Sequence, residues 1–472
     1  MRALVVDDEA VIRDVVAQTL RADGWTISEA DSAQCAFDLM QQHQWSLVFC
    51  DVKLGGEGIP DGYEVLKRFG QEQPKALIVL MTGHGSAAGA LDAISFGAYD
   101  YLMKPFGIGD VSAISRSAGN VVEKRTHRKV SAELPPNYIS DINLVGRSTA
   151  FVELMKLVGR VAATSLPVLI SGESGTGKEV VARAIHLRSA RASGSFVAIN
   201  CGAIPADLIE SELFGHVRGS FTGAMADRQG LWQEAEGGTL FLDEITETTL
   251  HFQVKLLRAL QEGEIRRVGS NQTRRVKVRV IAASNRDIEE AVREGRFRQD
   301  LFYRLNAVTL HLPPLRDRRE DIMPLAKHFA RSVLEPGEHP VSFSPEAFDL
   351  LERYNWPGNI RELENAVFRA AALCDHTVRS EDLPERIRIF SGSLLETAGS
   401  NRSRIDGPVA EPVTLSQIEA LHVACVLAHT RGNKQAAARI LGIDRTTLKR
   451  MVKRHNLDSG PQTSSQGSLL GL

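Results

Sequence analysis

Short apolar runs alternate with longer amphipathic stretches at the start of the chain. The runs are residues 4–6, 47–50, 77–81 and 101–103, and polar side chains follow each of them. Continuous runs of Val, Ile and Leu, separated by helix-length segments, are typical of a parallel sheet covered by helices. Residues 1–120 are therefore predicted to form one α/β domain.

The same alternation returns from about residue 143 and becomes purely helical after Pro313 and Pro314. It predicts a larger α/β domain over residues 143–390, with a helical lid from about residue 316. The polar, charged residues 121–142 are predicted to link the two domains.

Residues 391–413 are rich in Gly, Ser, Pro and Arg, and this composition predicts a flexible linker. Helical periodicity resumes over residues 414–457, which predicts a small all-α domain. Residues 458–472 are rich in Ser, Gly and Gln and are predicted to be disordered. The chain is thus predicted to be a multidomain α/β protein that ends in a helical domain.

Bulk composition narrows the functional classes. The chain has 472 residues, 43% of them hydrophobic, and a net charge of −2, so any nucleic-acid binding must be local. Its 5 cysteines form no C-x-x-C pair, which favours reduced thiols. No apolar run approaches the roughly 18 residues of a membrane span, and the acidic N-terminus excludes a signal peptide. A cytoplasmic location without membrane attachment is predicted.

Acidic, hydroxyl and cationic residues follow the first four apolar runs. Asp7 and Asp8 follow the first, Asp51 the second, Thr82 the third and Lys104 the fourth. The carboxyl ends of parallel strands form a ligand crevice, so these side chains are predicted to meet. The carboxylates suit Mg²⁺, and Asp51 would be the nucleophile that forms an aspartyl phosphate. Lys104 and Thr82 would bind the phosphoryl oxygens.

Acidic strand ends often serve only solubility, but these five residues in this order favour a site. The segment resembles a two-component receiver domain, which implies a flavodoxin-like fold and a sensor histidine kinase as partner. Tyr101 matches the aromatic switch position of that family, and the bond between Lys104 and Pro105 is a candidate cis peptide. The loop between Asp51 and Asp61 is longer than usual, which affects the expected fit to a kinase and the phosphoryl lifetime.

A glycine-rich loop lies between a strand-like and a helix-like segment of the central domain. The loop comprises Gly172, Glu173, Ser174, Gly175, Thr176, Gly177 and Lys178, and Glu179 follows it. This context predicts a P-loop, in which backbone N–H groups surround phosphate and Lys178 reaches the β and γ oxygens. Glu179 stands where the general motif has Ser or Thr, so Mg²⁺ would depend on Asp243, water and the phosphates.

A second apolar strand, residues 240–242, is followed by Asp243 and Glu244. Asp243 would hold Mg²⁺, and Glu244 would polarise the attacking water as general base. A structural pair of buried acids is the alternative. Together with the P-loop, the strand predicts hydrolysis of ATP with Mg²⁺ as cofactor.

Small residues surround an aromatic tip between these two motifs. The hexapeptide consists of Gly219, Ser220, Phe221, Thr222, Gly223 and Ala224. A flexible stretch with an exposed aromatic side chain is typical of a loop that contacts a partner protein. An ordinary glycine-rich loop is the alternative.

The central domain resembles the AAA+ domain of sigma-54-dependent activators, the NtrC-like bacterial enhancer-binding proteins. The resemblance implies that the hexapeptide contacts sigma-54, although Ser220 replaces the usual Ala. It also implies roles for residues outside the P-loop: Asn200 would restrain the catalytic Glu, Asn285 would sense nucleotide, Arg298 and Arg304 would be arginine fingers, and Arg361 would face the γ-phosphate. It further implies a homo-oligomer, from a dimer to a ring of six subunits. A finger supplied by a neighbouring subunit would make hydrolysis depend on assembly.

The C-terminal helical segment carries a local excess of basic residues. Between His429 and Leu457 there are eight basic residues and one acid, Asp444, which can cap a second helix. The spacing of Ala437, Leu441, Leu448, Met451 and Val452 predicts the packing between the two helices, and the residues expected to face DNA are Arg445, Thr446, Lys449, Arg450 and Lys453. The segment resembles a Fis-type helix-turn-helix, and the upstream helix around Ile418, Leu421 and Cys425 would form the dimer contact. A solvated basic face is the alternative.

These features predict a response regulator that binds DNA enhancer sites and activates sigma-54 RNA polymerase holoenzyme. Phosphorylation at Asp51 would control assembly of the ATPase ring, which would remodel the closed promoter complex. The main alternative is a DNA-binding response regulator that acts on other promoters, favoured only by Ser220. A further alternative, an AAA+ unfoldase, agrees poorly with the receiver and the DNA-binding end.

Overall fold

The computed structural model describes residues 1–54, 61–124, 144–221, 223–333, 341–390 and 433–454, together with Val423, Leu427 and Thr430. The chain divides into two compact units, Met1–Phe390 and Ser391–Leu472. Residues 121–124 of the first predicted linker belong to a helix that ends at Lys124, and its residues 125–142 lie outside the described residues. The second predicted linker, the predicted tail, and Ile418, Leu421 and Cys425 of the predicted dimer helix also lie outside them. No helix among the described residues is long and apolar enough to cross a membrane.

A parallel five-stranded sheet forms the N-terminal part of the first unit. Its order is β2-β1-β3-β4-β5, which is the flavodoxin-like order that the resemblance implied. The strands are β1 (Arg2–Val6), β2 (Thr26–Ala30), β3 (Leu47–Asp51), β4 (Leu77–Thr82) and β5 (Asp100–Met103). The helices are α1 (Ala10–Ala22), α2 (Ala33–Gln42), α3 (Asp61–Glu72), α4 (Ala87–Ser95) and α5 (Ile108–Lys124). Both faces of the sheet are buried, because β3 and β4 are apolar at every position before the final polar residue.

A second parallel sheet, in the order β14-β6-β13-β10-β7, forms the centre of the second α/β region. Its strands are β6 (Val168–Ser171), β7 (Phe196–Asn200), β10 (Thr239–Asp243), β13 (Arg279–Ser284) and β14 (Val308–His311). Two short antiparallel pairs lie beside it, β8 (Gly215–His216) with β9 (Arg228–Gln229), and β11 (Glu264–Arg266) with β12 (Thr273–Arg275). The helices are α6 (Thr149–Ala162), α7 (Lys178–Leu187), α8 (Ala206–Phe214), α9 (Leu231–Glu234), α10 (Leu250–Glu262), α11 (Ile288–Arg293) and α12 (Gln299–Leu305).

A helical lid follows β14, as the apolar pattern predicts. It comprises α13 (Ile322–Ser332), α14 (Pro345–Arg353), α15 (Asn359–Leu373) and α16 (Glu385–Arg388), with the short strands β15 (Ser342–Phe343) and β16 (Thr377–Val378). The lid has its own hydrophobic core around Trp356, Leu351 and Leu363, which are all buried. The fold class predicted for the first unit is therefore confirmed.

The first sheet, β1 to β5, and the second sheet share one continuous hydrophobic cluster through α4 and α6. A Cβ on Gly159 of α6 would lie 2.9 Å from Ile94 of α4, so the two helices meet at a residue without a side chain. Arg188 pairs with the buried carboxylate of Asp92 on α4. Lys156 Nζ lies 2.8 Å from Asp100 Oδ1. The two α/β regions thus pack together through apolar and ionic contacts.

The second unit contains α17 (Lys434–Leu441) and α18 (Arg445–Arg454) among its described residues. Leu448 and Val452 of α18 are buried against Ala437, with Leu441 and Met451 packed at the margin. The five residues predicted to pack the two helices are confirmed in that role. Gly442 turns the chain between the helices with φ of 65°, in the left-handed region that glycine adopts easily.

Candidate functional site

Carboxylates at the ends of β1 and β3 meet beside the ammonium of Lys104. Oxygen atoms of Asp7, Asp8 and Asp51 lie within 4.8 Å of one another. Lys104 Nζ is 2.7 Å from Asp7 Oδ2 and 3.4 Å from Asp51 Oδ1. Thr82 is buried at the end of β4, the strand next to β3. The structure thus brings these predicted side chains to one edge of the sheet.

Burial is the main cause of the electrostatics of this cluster. It raises the pKa of Asp51 to about 6, with the charge of Lys104 acting against it and that of Asp7 adding to it. Burial also raises the pKa of Asp7, against its hydrogen bond from Lys104. For Lys104, burial acts to lower the pKa, but the bond to Asp7 and the charge of Asp51 outweigh it, so the pKa is raised. The three carboxylates fit a hard divalent cation, which would offset their repulsion.

Tyr101, the predicted switch residue, is 3% exposed, and burial raises the pKa of its hydroxyl. A Cβ on Gly89 would lie 2.8 Å from Tyr101 Oη, so α4 approaches the ring closely. The bond between Lys104 and Pro105 is cis, as predicted. Residues 55–60 of the long loop after Asp51 lie outside the described residues, so the effect of that loop stays a prediction.

A cavity of about 600 Å³ lies between the P-loop, the end of β10 and the lid. The predicted nucleotide-binding residues that line it are Ser174, Gly175, Thr176, Gly177, Lys178, Glu179 and Asp243. Gly175 and Gly177 have φ of 76° and 97°, which turns the backbone as a P-loop requires. Burial lowers the pKa of Lys178, and the charges of Asp243 and Glu244 act against that shift.

Two predicted nucleotide-binding residues occupy other positions. Gly172 lies behind the cavity lining and accepts a hydrogen bond at its carbonyl oxygen from Lys178 Nζ at 2.9 Å. Glu173 directs its carboxylate to Arg316 and Asn359. Glu179 lines the cavity but also forms an exposed ion pair with Arg183, one helical turn along α7.

Glu244 follows β10 in the left-handed region, with φ of 53°. Its backbone N–H donates to Asp243 Oδ1 at 3.0 Å, and Asn285 Nδ2 donates to its Oε1 at 3.5 Å. Asn200 is paired with Asp243 in the sheet register, but its Oδ1 accepts from the amides of Gly202 and Ala203. Strain at Glu244 and its bond to Asn285 mark a carboxylate held in place at the cavity wall.

Among the described residues, the predicted arginines divide into two groups. Arg361 lines the cavity, with Nη1 3.4 Å from Ser174 Oγ. Arg298 forms a two-pronged pair with Asp300, at 3.0 Å and 2.7 Å. Arg304 donates to the backbone oxygen of Leu260 at 3.1 Å. Within this chain, neither Arg298 nor Arg304 is among the residues that line the cavity.

The hexapeptide loop extends from the β8–β9 pair. Gly219 and Gly223 have φ of 79° and 110°, and Gly219 N–H donates to the oxygen of Ala224 at 2.9 Å. The ring of Phe221 contacts His216 edge-on, with centroids 5.1 Å apart, and stays 37% exposed. The hydroxyl of Ser220 is buried and has no hydrogen-bond partner among the described residues. Thr222 lies outside the described residues.

Asp444 caps α18, as predicted, and its Oδ1 accepts from the N–H of Thr446 at 2.6 Å. Hydrogen bonds from the side chains and amides of Thr446 and Thr447 lower the pKa of Asp444. The five residues predicted to contact DNA are all exposed, and they are Arg445, Thr446, Lys449, Arg450 and Lys453. The Thr446 hydroxyl also donates a hydrogen bond to Asp444 Oδ1, so its side chain takes part in the cap of α18.

Sequence reasoning missed Asn359 and Arg316, which surround the P-loop from the lid side. Asn359 has φ of 52° and is fully buried, which is unusual for a residue that is neither glycine nor apolar. Its place in the Trp356–Pro357–Gly358 turn before a helix was the available signal, because such a turn needs a residue that tolerates left-handed backbone.

Family models match four stretches of the chain. Residues 3–115 match a response regulator receiver domain, and residues 144–311 match a Sigma-54 interaction domain. Residues 316–395 match an AAA+ ATPase lid domain. Residues 414–455 match the model described as bacterial regulatory protein, Fis family.

Similar proteins cover nearly the whole chain. The transcriptional regulatory protein ZraR of Escherichia coli (strain K12) is 43% identical over 453 residues, covering 96% of this chain and 98% of that protein. The DNA-binding transcriptional regulator NtrC of the same strain is 38% identical over 477 residues, with the same coverage. A crystal structure of NtrX from Brucella abortus has a TM-score of 0.51 at 32% identity, covering 96% of this chain and 99% of that one. A second NtrX structure, in complex with ADP, has a TM-score of 0.50.

Proposed function

This chain belongs to the sigma-54-dependent response regulators, and we propose that phosphorylation of Asp51 controls assembly of its ATPase into a ring. The ring remodels the closed complex of sigma-54 RNA polymerase at promoters with upstream enhancer sites. The cavity between P-loop and lid carries this proposal, because Lys178, Asp243, Glu244 and Arg361 line it together. The proposed location, with DNA and RNA polymerase as partners, is the cytoplasm.

In the receiver, a carboxylate oxygen of Asp51 attacks the phosphorus of a phosphohistidine on the sensor kinase. The bond from phosphorus to imidazole nitrogen breaks, and the Asp51 acyl phosphate forms. Lys104 and Thr82 hold the transferred phosphoryl oxygens. Asp7, Asp8 and Asp51 would hold Mg²⁺, which supplies positive charge for the phosphoryl group.

The contact between α4 and α6 supports the control step. Tyr101 lies against Gly89 of α4, and α4 packs on α6 at Gly159. The Tyr101 hydroxyl is hydrogen-bonded to the Thr82 side chain, so a phosphoryl group on Asp51 that draws Thr82 toward itself would alter the contact of Tyr101 with α4. This arrangement provides a contiguous physical route from the phosphorylation site to the ATPase region.

In the ATPase, backbone N–H groups of the P-loop and Lys178 hold the phosphates. Glu244 accepts a proton from the water that attacks the γ-phosphorus, and ADP leaves with the bridging oxygen. Asp243 would hold Mg²⁺, which neutralises charge on the phosphates. Arg298 and Arg304 act on the site of a neighbouring subunit, in agreement with their positions away from the cavity in their own chain.

The hexapeptide loop contacts sigma-54, and α18 binds the enhancer DNA. Phe221 presents an exposed aromatic face at the tip of a loop with two left-handed glycines. In α18, Arg445, Lys449 and Lys453 are exposed, whereas Leu448 and Val452 are buried. An amphipathic helix with one basic face suits the major groove, where cations meet phosphate and base edges.

In vitro transcription tests the proposal. Phosphorylated protein is mixed with sigma-54 holoenzyme and a sigma-54 promoter, and open complexes are measured with ATP or with a non-hydrolysable analogue. Open complexes are expected with ATP but not with the analogue. Phe221→Ala should abolish them without loss of ATPase activity. If ATP produces no open complex while the protein still binds DNA, the alternative of regulation at other promoters is correct.

A further inference from the structure

The N-terminus of α15 is hydrogen-bonded directly to the backbone of the P-loop. Ile360 N–H donates to the oxygen of Gly175 at 2.9 Å. A Cβ on Gly175 would lie 2.5 Å from the oxygen of Gly358, so only glycine allows this approach. The N–H and C=O groups of a trans peptide point in opposite directions. The lid therefore contacts the carbonyl side of the loop and leaves its N–H groups for phosphate.

Asn359 is the centre of this contact. Its Oδ1 accepts from the N–H of Leu315 at 2.8 Å, and its Nδ2 donates to the oxygen of Ser174 at 3.0 Å. Nδ2 also donates to Glu173 Oε2 at 3.1 Å. One buried amide thus joins the P-loop, the segment after β14 and the first residue of the lid helix α15.

Glu173 strengthens the same junction through Arg316, the residue after Leu315. Arg316 Nη1 lies 2.9 Å from Glu173 Oε2, and Nη2 lies 2.5 Å from Oε1. The hydrogen bond from Arg316 lowers the pKa of Glu173, and burial acts against it. The pair is partly exposed, so it contributes less to stability than to the direction of the two segments.

Arg361 follows Asn359 by two residues on the first turn of α15 and lines the nucleotide cavity. We propose that Asn359, supported by Glu173, is a positioning residue that fixes Arg361 relative to the terminal phosphate of the nucleotide. The inference rests on the proposed function, in which Arg361 faces the γ-phosphate. It reassigns Glu173 from phosphate binding to the link between P-loop and lid.

Nucleotide affinities of the full chain test this role. In a Glu244→Gln background, which prevents turnover, Kd values for ATP and ADP are measured for Asn359→Gly, Arg361→Ala and the double variant. Glycine accepts the left-handed backbone at residue 359 and removes all three side-chain bonds. Asn359→Gly should raise the Kd for ATP about tenfold and leave the Kd for ADP unchanged, since only ATP carries the phosphate that Arg361 contacts.

The double variant separates positioning from general damage. If Asn359 acts through Arg361, the double variant binds ATP no more weakly than Arg361→Ala alone. Equal weakening of ATP and ADP, or effects that multiply in the double variant, would overturn the inference. The proposed function fails on a different result, namely absence of ATP hydrolysis by the unsubstituted chain.

Glu173→Gln provides a milder variant of the same junction. It keeps an oxygen for Asn359 but removes the charge that pairs with Arg316. The Kd for ATP should therefore rise about two- to threefold, and the Kd for ADP should not change. Asp349→Asn is the matched control, because Asp349 forms an exposed ion pair with Arg353 elsewhere in the lid. Equal ATP affinity in the Glu173 variant and the control would show that Glu173 has no part in positioning Arg361.

Discussion

The receiver and the ATPase place phosphoryl chemistry at the same edge of two parallel sheets, but they differ in what one chain supplies. In the receiver, Asp7, Asp51 and Lys104 lie within ion-pair distance. In the ATPase, Lys178 and Glu244 line the cavity, whereas Arg298 and Arg304 are bonded elsewhere. Under the proposed function, the first site accepts phosphate within a single chain, and the second depends on a neighbour.

The difference also appears in solvent exposure. Asp51 is 6% exposed, so burial dominates its electrostatics and raises its pKa. Arg298 is on the surface, and its guanidinium pairs with Asp300, whose hydrogen bond raises the pKa of the guanidinium. A buried site fixes its own geometry by packing, whereas an exposed arginine is free to exchange its partner for a phosphate on another subunit.

The largest effect is expected from removing an arginine that a neighbouring subunit would supply. Arg298→Ala or Arg304→Ala should lower kcat for ATP by about 10³- to 10⁵-fold, because a finger stabilises charge in the transition state. Mixing either variant with Glu244→Gln should restore part of the activity, since a site can combine intact residues from two subunits. Steady-state ATPase rates of single and mixed preparations measure this.

Arg296→Ala is the matched control, because Arg296 is exposed and pairs with Glu294 as Arg298 pairs with Asp300. Its ATPase rate should equal that of the unsubstituted protein. A dilute monomer that hydrolyses ATP at the full rate per chain would contradict the proposed role of the neighbouring subunit.

A second expected effect concerns the part of the ATPase site that one chain supplies. Glu244→Gln should lower kcat by about 10²- to 10⁴-fold and retain ATP binding, because the amide cannot accept the proton of water. Glu247→Gln is the control, since Glu247 is exposed and its partner is Arg286 at 3.1 Å. ATPase rates and nucleotide Kd values of both variants test this role of Glu244. Full turnover by Glu244→Gln would show that Glu244 is not the base.

A third expected effect tests the receiver, where burial supplies the geometry. Asp51→Asn should abolish labelling by acetyl phosphate and, in EDTA at pH 7.5, raise the local free energy of unfolding by about 3 kcal/mol. The folded-state pKa of Asp51, about 6, exceeds the unfolded value, so its ionisation destabilises the fold as pH rises through about 4 to 6. The gain should therefore vanish below about pH 4.

Hydrogen exchange of the β1 and β3 amides, measured from pH 4 to 7.5, checks the sign and the pH window. Asp14→Asn, which removes an exposed carboxyl on α1, should change the free energy by less than about 0.5 kcal/mol. An Asp51→Asn effect that is independent of pH would show that burial of the charge is not its cause. Continued labelling of this variant would identify another acceptor.

The smallest expected effect uses the second unit as a reference for both sites. Arg445→Ala or Lys449→Ala should weaken operator DNA binding by about tenfold, because each removes one cationic contact. ATPase kcat and Asp51 labelling should not change, and Gln435→Ala on α17 is the control. Titration of labelled operator DNA at fixed salt measures the affinity, and unchanged binding in both variants would remove α18 as the recognition helix.

Particular elements show how far the sequence reaches. Strand ends were readable because a buried run of Val, Ile and Leu followed by Asp is a local pattern, as in β1, β3 and β10. The P-loop could be predicted because its glycines allow the backbone conformations that the loop itself requires. The direction of Glu173 was not readable, because its partners Arg316 and Asn359 are distant along the chain.

The sequence by itself determined the order of the domains, the two sheets, the nucleotide loop and the basic face of α18, since each depends on neighbouring residues and their periodicity. Only the tertiary structure decided that α4 packs on α6, that Asn359 joins the lid to the P-loop, and that Arg298 and Arg304 lie away from the cavity of their own chain. These contacts join segments far apart in the chain, and their energies depend on burial and distance that no local pattern specifies.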